Sequence, residues 1–146
     1  MIVTGSSAHA AMLAAIYAAA FPRDEAWHQA AFAAQLELPG TFALIEEAGG
    51  FVLARTAADE AEILMLAVTP EAARMGIGTR LVASAKRAAA AHGAVSIFLE
   101  VSANNVPAIR LYERSGFGIV GRRPAYYHDG SDAVVMRASL VAPRGS

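Results

Sequence analysis

From Glu62 to Leu81 the chain reads E-I-L-M-L-A-V-T-P-E-A-A-R-M-G-I-G-T-R-L, and no other stretch constrains the fold as tightly. Ile63 to Val68 is apolar without polar alternation, the pattern of a strand covered on both faces. Pro70 stops that run. Gly76 and Gly78 follow, two residues apart, where a backbone without Cβ atoms can approach a ligand closely. Next comes an amphipathic run with Leu81, Val82, Ala85, Ala88 and Ala89 at helical spacing, leaving Arg80, Lys86 and Arg87 for the wet side. The order is therefore buried strand, glycine loop, helix. The first N–H groups of a helix lack intrahelical partners, and the helix dipole makes that end positive. Such a junction suits phosphate, and Arg74 adds a full charge beside it. Two known phosphate motifs do not fit. A P-loop needs Gly-Lys-Ser/Thr, but Thr79-Arg80 follows Gly78. The dinucleotide fingerprint needs a third glycine where Leu81 stands. A plain tight turn is the competing reading.

The remaining elements follow from periodicity and breakers. Met1 to Thr4 reads as a strand, and Gly5-Ser6-Ser7 as the cap of a helix over Ala8 to Ala20 with Met12, Leu13, Ile16 and Tyr17 inward. Phe21-Pro22 ends it. Asp24 is expected to cap a second helix carrying Trp27, Ala31, Phe32 and Leu36, and Pro39-Gly40 breaks that helix. Thr41–Glu46 and Phe51–Arg55 form a hairpin about Ala48-Gly49-Gly50. After the helix stop at His92-Gly93, Val95 to Val101 is a second apolar strand, expected to lie parallel to the first. Asn104-Asn105 caps a helix with Ala108, Ile109, Leu111 and Tyr112 inward, and Gly116 closes it. Phe117–Arg122 and Ala133–Leu140 are the last strands. The expected class is mixed α/β or α+β, a sheet flanked by helices, with one domain over residues 1–140 and a fraying tail over 141–146.

Composition removes several functions. A formal net charge of −1 offers no global attraction to nucleic acid or membrane. The absence of cysteine excludes disulfides, thiolate zinc sites and thiol catalysis. Four scattered histidines give no ligand spacing, so no metal site is expected. Ala8 to Ala20 is too short to span a bilayer and no secretory signal pattern precedes it, so a cytoplasmic protein is expected.

Ligands of parallel strands bind beyond their carboxyl ends. Glu100 stands there, the only acid between Glu71 and Glu113. Leu99 and Val101 flank it, and a partly desolvated carboxylate is a better base. A surface or ion-pairing glutamate is the alternative reading. The helix after Asn105 brings Tyr112 back toward the same end, where a phenol can give a proton to an anionic leaving group. Core packing is the alternative for Tyr112, and simple capping for Asn104 and Asn105. No nucleophile elbow is present.

Three blocks together resemble the GNAT superfamily of acetyl-CoA-dependent N-acetyltransferases, and within it the bacterial RimI branch of ribosomal-protein alanine N-acetyltransferases. They are A-E-I-L-M-L-A-V-T-P with R-M-G-I-G-T-R-L, then L-E-V-S-A-N-N-V-P-A-I-R-L-Y-E-R-S-G-F, then G-R-R-P-A-Y-Y with D-A-V-V-M. A-F-P-R-D-E-A-W near the start is a weaker echo. The resemblance implies a GNAT fold: a central, mostly antiparallel sheet of six to seven strands, splayed at the acetyl-CoA site and flanked by about four helices. It implies that Arg74, Met75, Gly76, Ile77, Gly78 and Thr79 hold the coenzyme pyrophosphate. Leu66, Ala67 and Val68 would pair through main chain with the pantetheine arm, and Asn105 would touch the coenzyme. Glu100 would be the general base, Tyr112 the general acid, and Tyr126-Tyr127 part of the acceptor side. Ala73 departs from the family, which usually has Gln or Arg there, and Arg74 is expected to compensate. The implied acceptor is a protein N-terminus, that of a ribosomal protein, with no direct role for nucleic acid, membrane or metal. Rival readings are a GNAT acting on a small amine, a lysine or other protein N-termini, and a non-catalytic acyl-CoA-binding module.

Overall fold

A computed structural model describes residues 1–24 and 26–141. The strands are β1 (Ile2–Gly5), β2 (Thr41–Glu46), β3 (Gly50–Ala57), β4 (Glu60–Val68), β5 (Ser96–Ser102), β6 (Gly118–Arg123) and β7 (Ala133–Ser139). The helices are α1 (Ala10–Ala20), α2 (Gln29–Leu36), the single turn α3 (Pro70–Ala73), α4 (Ile77–Ala91) and α5 (Val106–Arg114). Residues 142–146 of the tail expected to fray lie outside the described residues.

One seven-stranded sheet runs in the order β1-β2-β3-β4-β5-β7-β6. Every neighbouring pair is antiparallel except β4 and β5, which are parallel as expected. Helices α4 and α5 cover one face, where Ile63, Ile77, Leu81, Val82, Ile97, Leu99 and Met136 form the larger core. On the other face α1 and α2 cover β2 to β4, with Leu13, Phe32, Ile45, Phe51 and Leu53 fully buried. Phe32 is the hub of that smaller core. Its ring sits 5.1 Å from Trp27, 5.5 Å from Phe51 and 5.8 Å from Tyr17. On this second face Phe98 and Glu100 of β5 are only half-buried and Arg123 is exposed, so the sheet beyond β4 opens to solvent there.

The parallel pair is short, and that shapes the rest of the molecule. Residues Glu60 to Ile63 pair with Ser96 to Leu99, and there the pairing ends. Against β3, Met65 faces Leu53 and Ile63 faces Ala54, so Leu64 is an extra residue in β4. Such a bulge bends its strand and increases its twist. Beyond it β4 keeps its pairing with β3 as far as Val68, and β5 keeps its pairing with β7 as far as Ser102. The two strands thus part like a wedge after Ile63 and Leu99.

Several local expectations change. The first helix begins with a 3-10 turn, Ser7–His9, capped by Ser6, whose hydroxyl accepts from the Ala8 N–H and whose own N–H donates to His9 Nδ1 at 3.0 Å. Met12 points out and is exposed, while Leu13, Ile16 and Tyr17 are buried as expected. An alanine-rich helix is apolar all round, so hydrophobicity alone does not choose its inner face. Asp24 does not cap α2. Its carboxylate accepts from the Ala26 N–H at 2.9 Å in a tight turn, and α2 starts five residues later without a side-chain cap. Residues Leu64 to Leu66 are only half-buried, because the central strand is covered on both sides only until the wedge opens. The one-turn α3 is an additional element, capped by Thr69, whose hydroxyl accepts from the Ala72 N–H.

Candidate active site

The wedge is a cavity of about 340 Å³. Leu64 to Leu66 form one wall, Leu99 to Ser102 the other, and Asn105, Tyr112 and Tyr127 close one end. Tyr17, Phe21, Asp24 and Trp27 line the opposite side. Glu100 also borders two adjoining recesses, one with Tyr126, Tyr127 and Glu62, the other with Arg55, Glu62 and Arg123. Its carboxylate therefore sits where the wedge meets the open face of the sheet.

Glu100 is held rather than free. Its side chain is 23 % exposed, and Oε1 lies 3.1 Å from Arg123 Nη2. The same guanidinium stands over the Tyr126 ring, 5.6 Å from its centroid. Arg123 is a site residue that sequence reasoning missed. It lies in the G-R-R-P-A-Y-Y block, but an arginine on an edge strand carries no signal of its partner.

Tyr112 is 7 % exposed, with its ring 5.8 Å from Phe117 in an edge-on contact. It packs in the core and also lines the wedge. Burial, and secondarily the nearby Tyr127, pushes its phenol up to about 12. It therefore keeps its proton throughout the neutral range, as a proton donor must. Tyr127 is raised as well, by burial first and then by the Glu100 charge. These shifts have a consequence for stability. The unfolded Tyr112 ionises from its ordinary 10.0 upward, while the folded one waits until about 12. The Tyr112 contribution is flat below pH 10 and falls as pH rises through that window, by about 1.4 kcal/mol per pH unit. Urea midpoints at pH 9 and pH 11 check it, and equal midpoints would refute it.

Asn105 does two things. Its side chain accepts from the Ala108 N–H at 3.3 Å, capping α5, and it borders the cavity. The loop after β6 is pinned to the end of β5. Ser102 Oγ donates to Ser131 Oγ at 2.9 Å, which donates to Asp129 Oδ1 at 2.6 Å. The Ala103 N–H donates to the Asp132 carbonyl at 2.9 Å, and Asp132 Oδ1 accepts from the Ala125 N–H at 2.9 Å. Tyr127 is thereby placed in the wedge, while Tyr126 is 53 % exposed in the adjoining recess.

Past the wedge lies the glycine junction. Gly76 caps α4 with φ +70°, a conformation open to glycine at little cost, and offers no side chain to the helix end. The first intrahelical bond is Arg80 N–H to the Gly76 carbonyl, 3.2 Å, which leaves the N–H groups of Ile77, Gly78 and Thr79 ahead of it. Gly78 also has a packing role that the sequence did not reveal. It is buried, and a Cβ there would lie 3.0 Å from Leu111 Cδ1 and 3.6 Å from Val68 Cγ2. Its bareness lets α4 settle onto β4 and α5. Gly78→Val is expected to cost about 1–3 kcal/mol of stability by overpacking, read as a lower urea midpoint. An unchanged midpoint would refute that role.

The structure thus brings Leu66, Glu100, Asn105, Tyr112 and Tyr127 into one cavity. Arg74 to Thr79 stand apart from it, at the start of α4, with Arg74 and Met75 exposed. Val68 meets Gly78, which links the two regions. Ala67 is fully buried on the side of α1, so only its main chain is available to a ligand. Among the described residues no group of three or more His, Asp or Glu is arranged to hold a metal ion.

The sequence profile of the Acetyltransferase (GNAT) family matches residues 10–117. The chain belongs to that family. Among GNAT relatives, N-alpha-acetyltransferase RimI of Mycobacterium tuberculosis is 34% identical over 145 residues, covering 93% of this chain and 90% of that protein. An N-alpha-acetyltransferase of Sulfurisphaera tokodaii is 40% identical over 86 residues, which is 58% of this chain and 52% of the relative. The chain spans about half the length of such archaeal relatives. The crystal structure of the ribosomal-protein-S18-alanine N-acetyltransferase from Escherichia coli superposes with a TM-score of 0.81 at 27% identity, covering 100% of this chain and 99% of that one. The mixed, mostly antiparallel sheet expected from the sequence is the GNAT fold. Among the described residues seven strands stand where six to seven were expected, and the helices number five, counting the single turn α3, where about four were expected.

Proposed function

We propose that this GNAT protein is an acetyl-CoA-dependent N-acetyltransferase that acts on the α-amine of a protein N-terminus, an N-terminal alanine of a small-subunit ribosomal protein. The observation that carries the reading is the sharing of one cavity by Glu100 and Tyr112, where β4 and β5 part. The relatives named above support the acceptor class. A ribosomal protein as acceptor would put the reaction in the cytoplasm, and no helix among the described residues is long and apolar enough to cross a membrane.

The residues present fit the coenzyme. Unpaired N–H groups at Ile77, Gly78 and Thr79, with a bare Gly76 and an exposed Arg74 beside them, suit a diphosphate. The β5-facing edge of β4 has no strand partner from Leu64 to Val68, so it can take the amide-rich pantetheine arm as a further strand would be taken. Asn105 borders the same path. Bound acetyl-CoA supplies the acetyl group as a thioester, whose C–S bond breaks as the N–C bond forms, with the coenzyme leaving as a thiol.

The chain's own residues do the rest. A peptide α-amine has a pKa of about 8, so much of it is charged at neutral pH and must lose a proton before it attacks. Glu100 takes that proton at a carboxylate oxygen, directly or through a water. Tyr112 holds a proton at its phenol oxygen for the departing sulfur. Beyond Ile63 the β5-facing edge of β4 has no strand partner, and N–H groups there would stabilise charge developing on an acyl oxygen. The wedge walls hold both reactants together, which removes much of the entropic barrier. No covalent intermediate on the protein is needed. Tyr126 and Tyr127 border the acceptor approach from the open face.

The test is mass spectrometry of small-subunit ribosomal proteins after incubation with enzyme and acetyl-CoA, beside polyamines and free amino acids as competitors. A single added acetyl group on an N-terminal alanine is the expected result. Acetylation of the free amines alone would overturn the peptide reading, and binding without turnover would leave an acyl-CoA-binding module.

A further inference from the structure

The carboxylate that serves as the base is held from one side, and the register of the sheet shows how that contact is built. Val135 of β7 lies opposite Glu100 of β5 on one flank and opposite Gly121 of β6 on the other. Residues opposite one another across a sheet share a face, and so do residues two apart on one strand. Arg123 therefore stands on the same face as Glu100. Gly121 carries no side chain, and a Cβ there would come no nearer than 3.7 Å to Val135. The ground above Val135 is left open, and the Arg123 side chain reaches back across it to bring Nη2 within 3.1 Å of Glu100 Oε1. The same guanidinium is steadied by the Tyr126 ring, 5.6 Å from its centroid. The neighbouring cations of this face are engaged elsewhere. Arg55 pairs with Glu62 at 3.6 Å, and Arg137 stands over the Phe98 ring at 5.8 Å. Glu62 borders two recesses together with Glu100, so a like charge approaches the base from β4 while Arg123 draws it toward β6.

A guanidinium beside a base acts on it in two opposite ways. Its charge resists the arrival of a proton, and its hydrogen bond fixes where the carboxylate points. The charge effect is small here, because the Arg123 side chain is 58 % exposed and water screens an exposed pair. Orientation is not screened, and a shift of about 1 Å in a reacting group can cost about a hundredfold in rate. We propose that Arg123 is a positioning residue for the acetyl transfer, holding Oε1 of Glu100 so that Oε2 faces the wedge and the acceptor nitrogen. The proposal rests on the acetyltransferase reading with Glu100 as its base. Arg123 touches neither reactant, and no proton passes through it.

Arg123→Met removes the guanidinium and keeps most of the stem. It is expected to lower kcat about tenfold while KM for an alanine-initiated peptide changes less than about twofold, the signature of an interaction that acts on the transfer step. Arg123→Lys returns a cation to the same lane and should recover kcat to within about threefold of the wild type. In a Glu100→Gln background Arg123→Met should change kcat less than about twofold, because no base remains to be aimed. Calorimetry with acetyl-CoA should give one affinity for all variants. Urea midpoints should stay close to the wild type, since an exposed pair contributes little to folding.

A wild-type or higher kcat in Arg123→Met beside a slow Glu100→Gln would overturn the proposal alone, the higher value by showing that the charge outweighs the aim. A tenfold fall that persists in the Glu100→Gln background would overturn it too, by placing the action of Arg123 elsewhere. So would a defect confined to KM, which would leave Arg123 as a support for the Tyr126 loop. If Glu100→Gln itself turns over at the wild-type rate, the assignment of the base fails, and the proposal falls with it. Should the enzyme take free amines and no peptide, the same rates are read on the amine, because the base to be positioned is the same.

Discussion

Glu100→Gln is expected to lower kcat about a hundredfold or more at neutral pH, with acetyl-CoA affinity unchanged. The size follows from what a positioned base contributes to a proton transfer, about 10²–10⁴-fold. Glutamine keeps the size of the side chain and its ability to hydrogen bond, but it cannot accept the proton of the incoming amine. The Arg123 contact at 3.1 Å loses its charge, yet Arg123 is exposed and can turn to water, so folding should be little affected. Steady-state rates and calorimetric titration of the coenzyme, run side by side, check the prediction. A variant that turns over at the wild-type rate removes Glu100 from the chemistry. One that loses coenzyme binding in proportion makes it a structural residue.

Tyr112→Phe is the second large effect, a fall in kcat of about a hundredfold. The ring stays, so its edge-on contact with Phe117 and its place in the core are kept. Only the proton for the leaving sulfur is lost. Because the wild-type phenol holds its proton up to about 12, its titration should not limit the rate anywhere between pH 6 and 10. A loss of stability without a loss of rate would return Tyr112 to packing alone. A fall confined to KM would make it a binding residue. Applied together with Glu100→Gln, the two losses are expected to be less than additive, since both act on one transfer step.

The scaffold of this mechanism could be read before any coordinates. Ile63 to Val68, the Gly76 junction and the helix behind it form a run whose periodicity changes at Pro70, and that is a local signal. Glu100, Asn105 and Tyr112 belong to one continuous segment, so their spacing along the chain nearly fixes their spacing in space. The acceptor side was less legible for the opposite reason. Tyr17, Asp24, Arg123 and Ser102 come from four separate segments and meet only in the folded molecule. Asp24 has the sequence features of a helix cap, and only the tertiary position of α2 shows that it serves a turn instead. Met12 and Tyr17 are equivalent on an all-apolar helix until the sheet beneath chooses between them. The bulge at Leu64 adds a single residue, which leaves no mark in a run of apolar side chains.

That bulge has a consequence for how the molecule breathes. The amides of Val52, Leu53, Ile97 and Leu99 lie in the middle of the sheet and should exchange their hydrogens for deuterium only when the whole domain opens. Any amide of β4 after Leu64 that points away from β3, and those of Ile77, Gly78 and Thr79, have nothing to hold them and should exchange at rates close to those of free peptide. One protein would thus carry its slowest and fastest labelling side by side on neighbouring strands, and filling the gap should erase the difference.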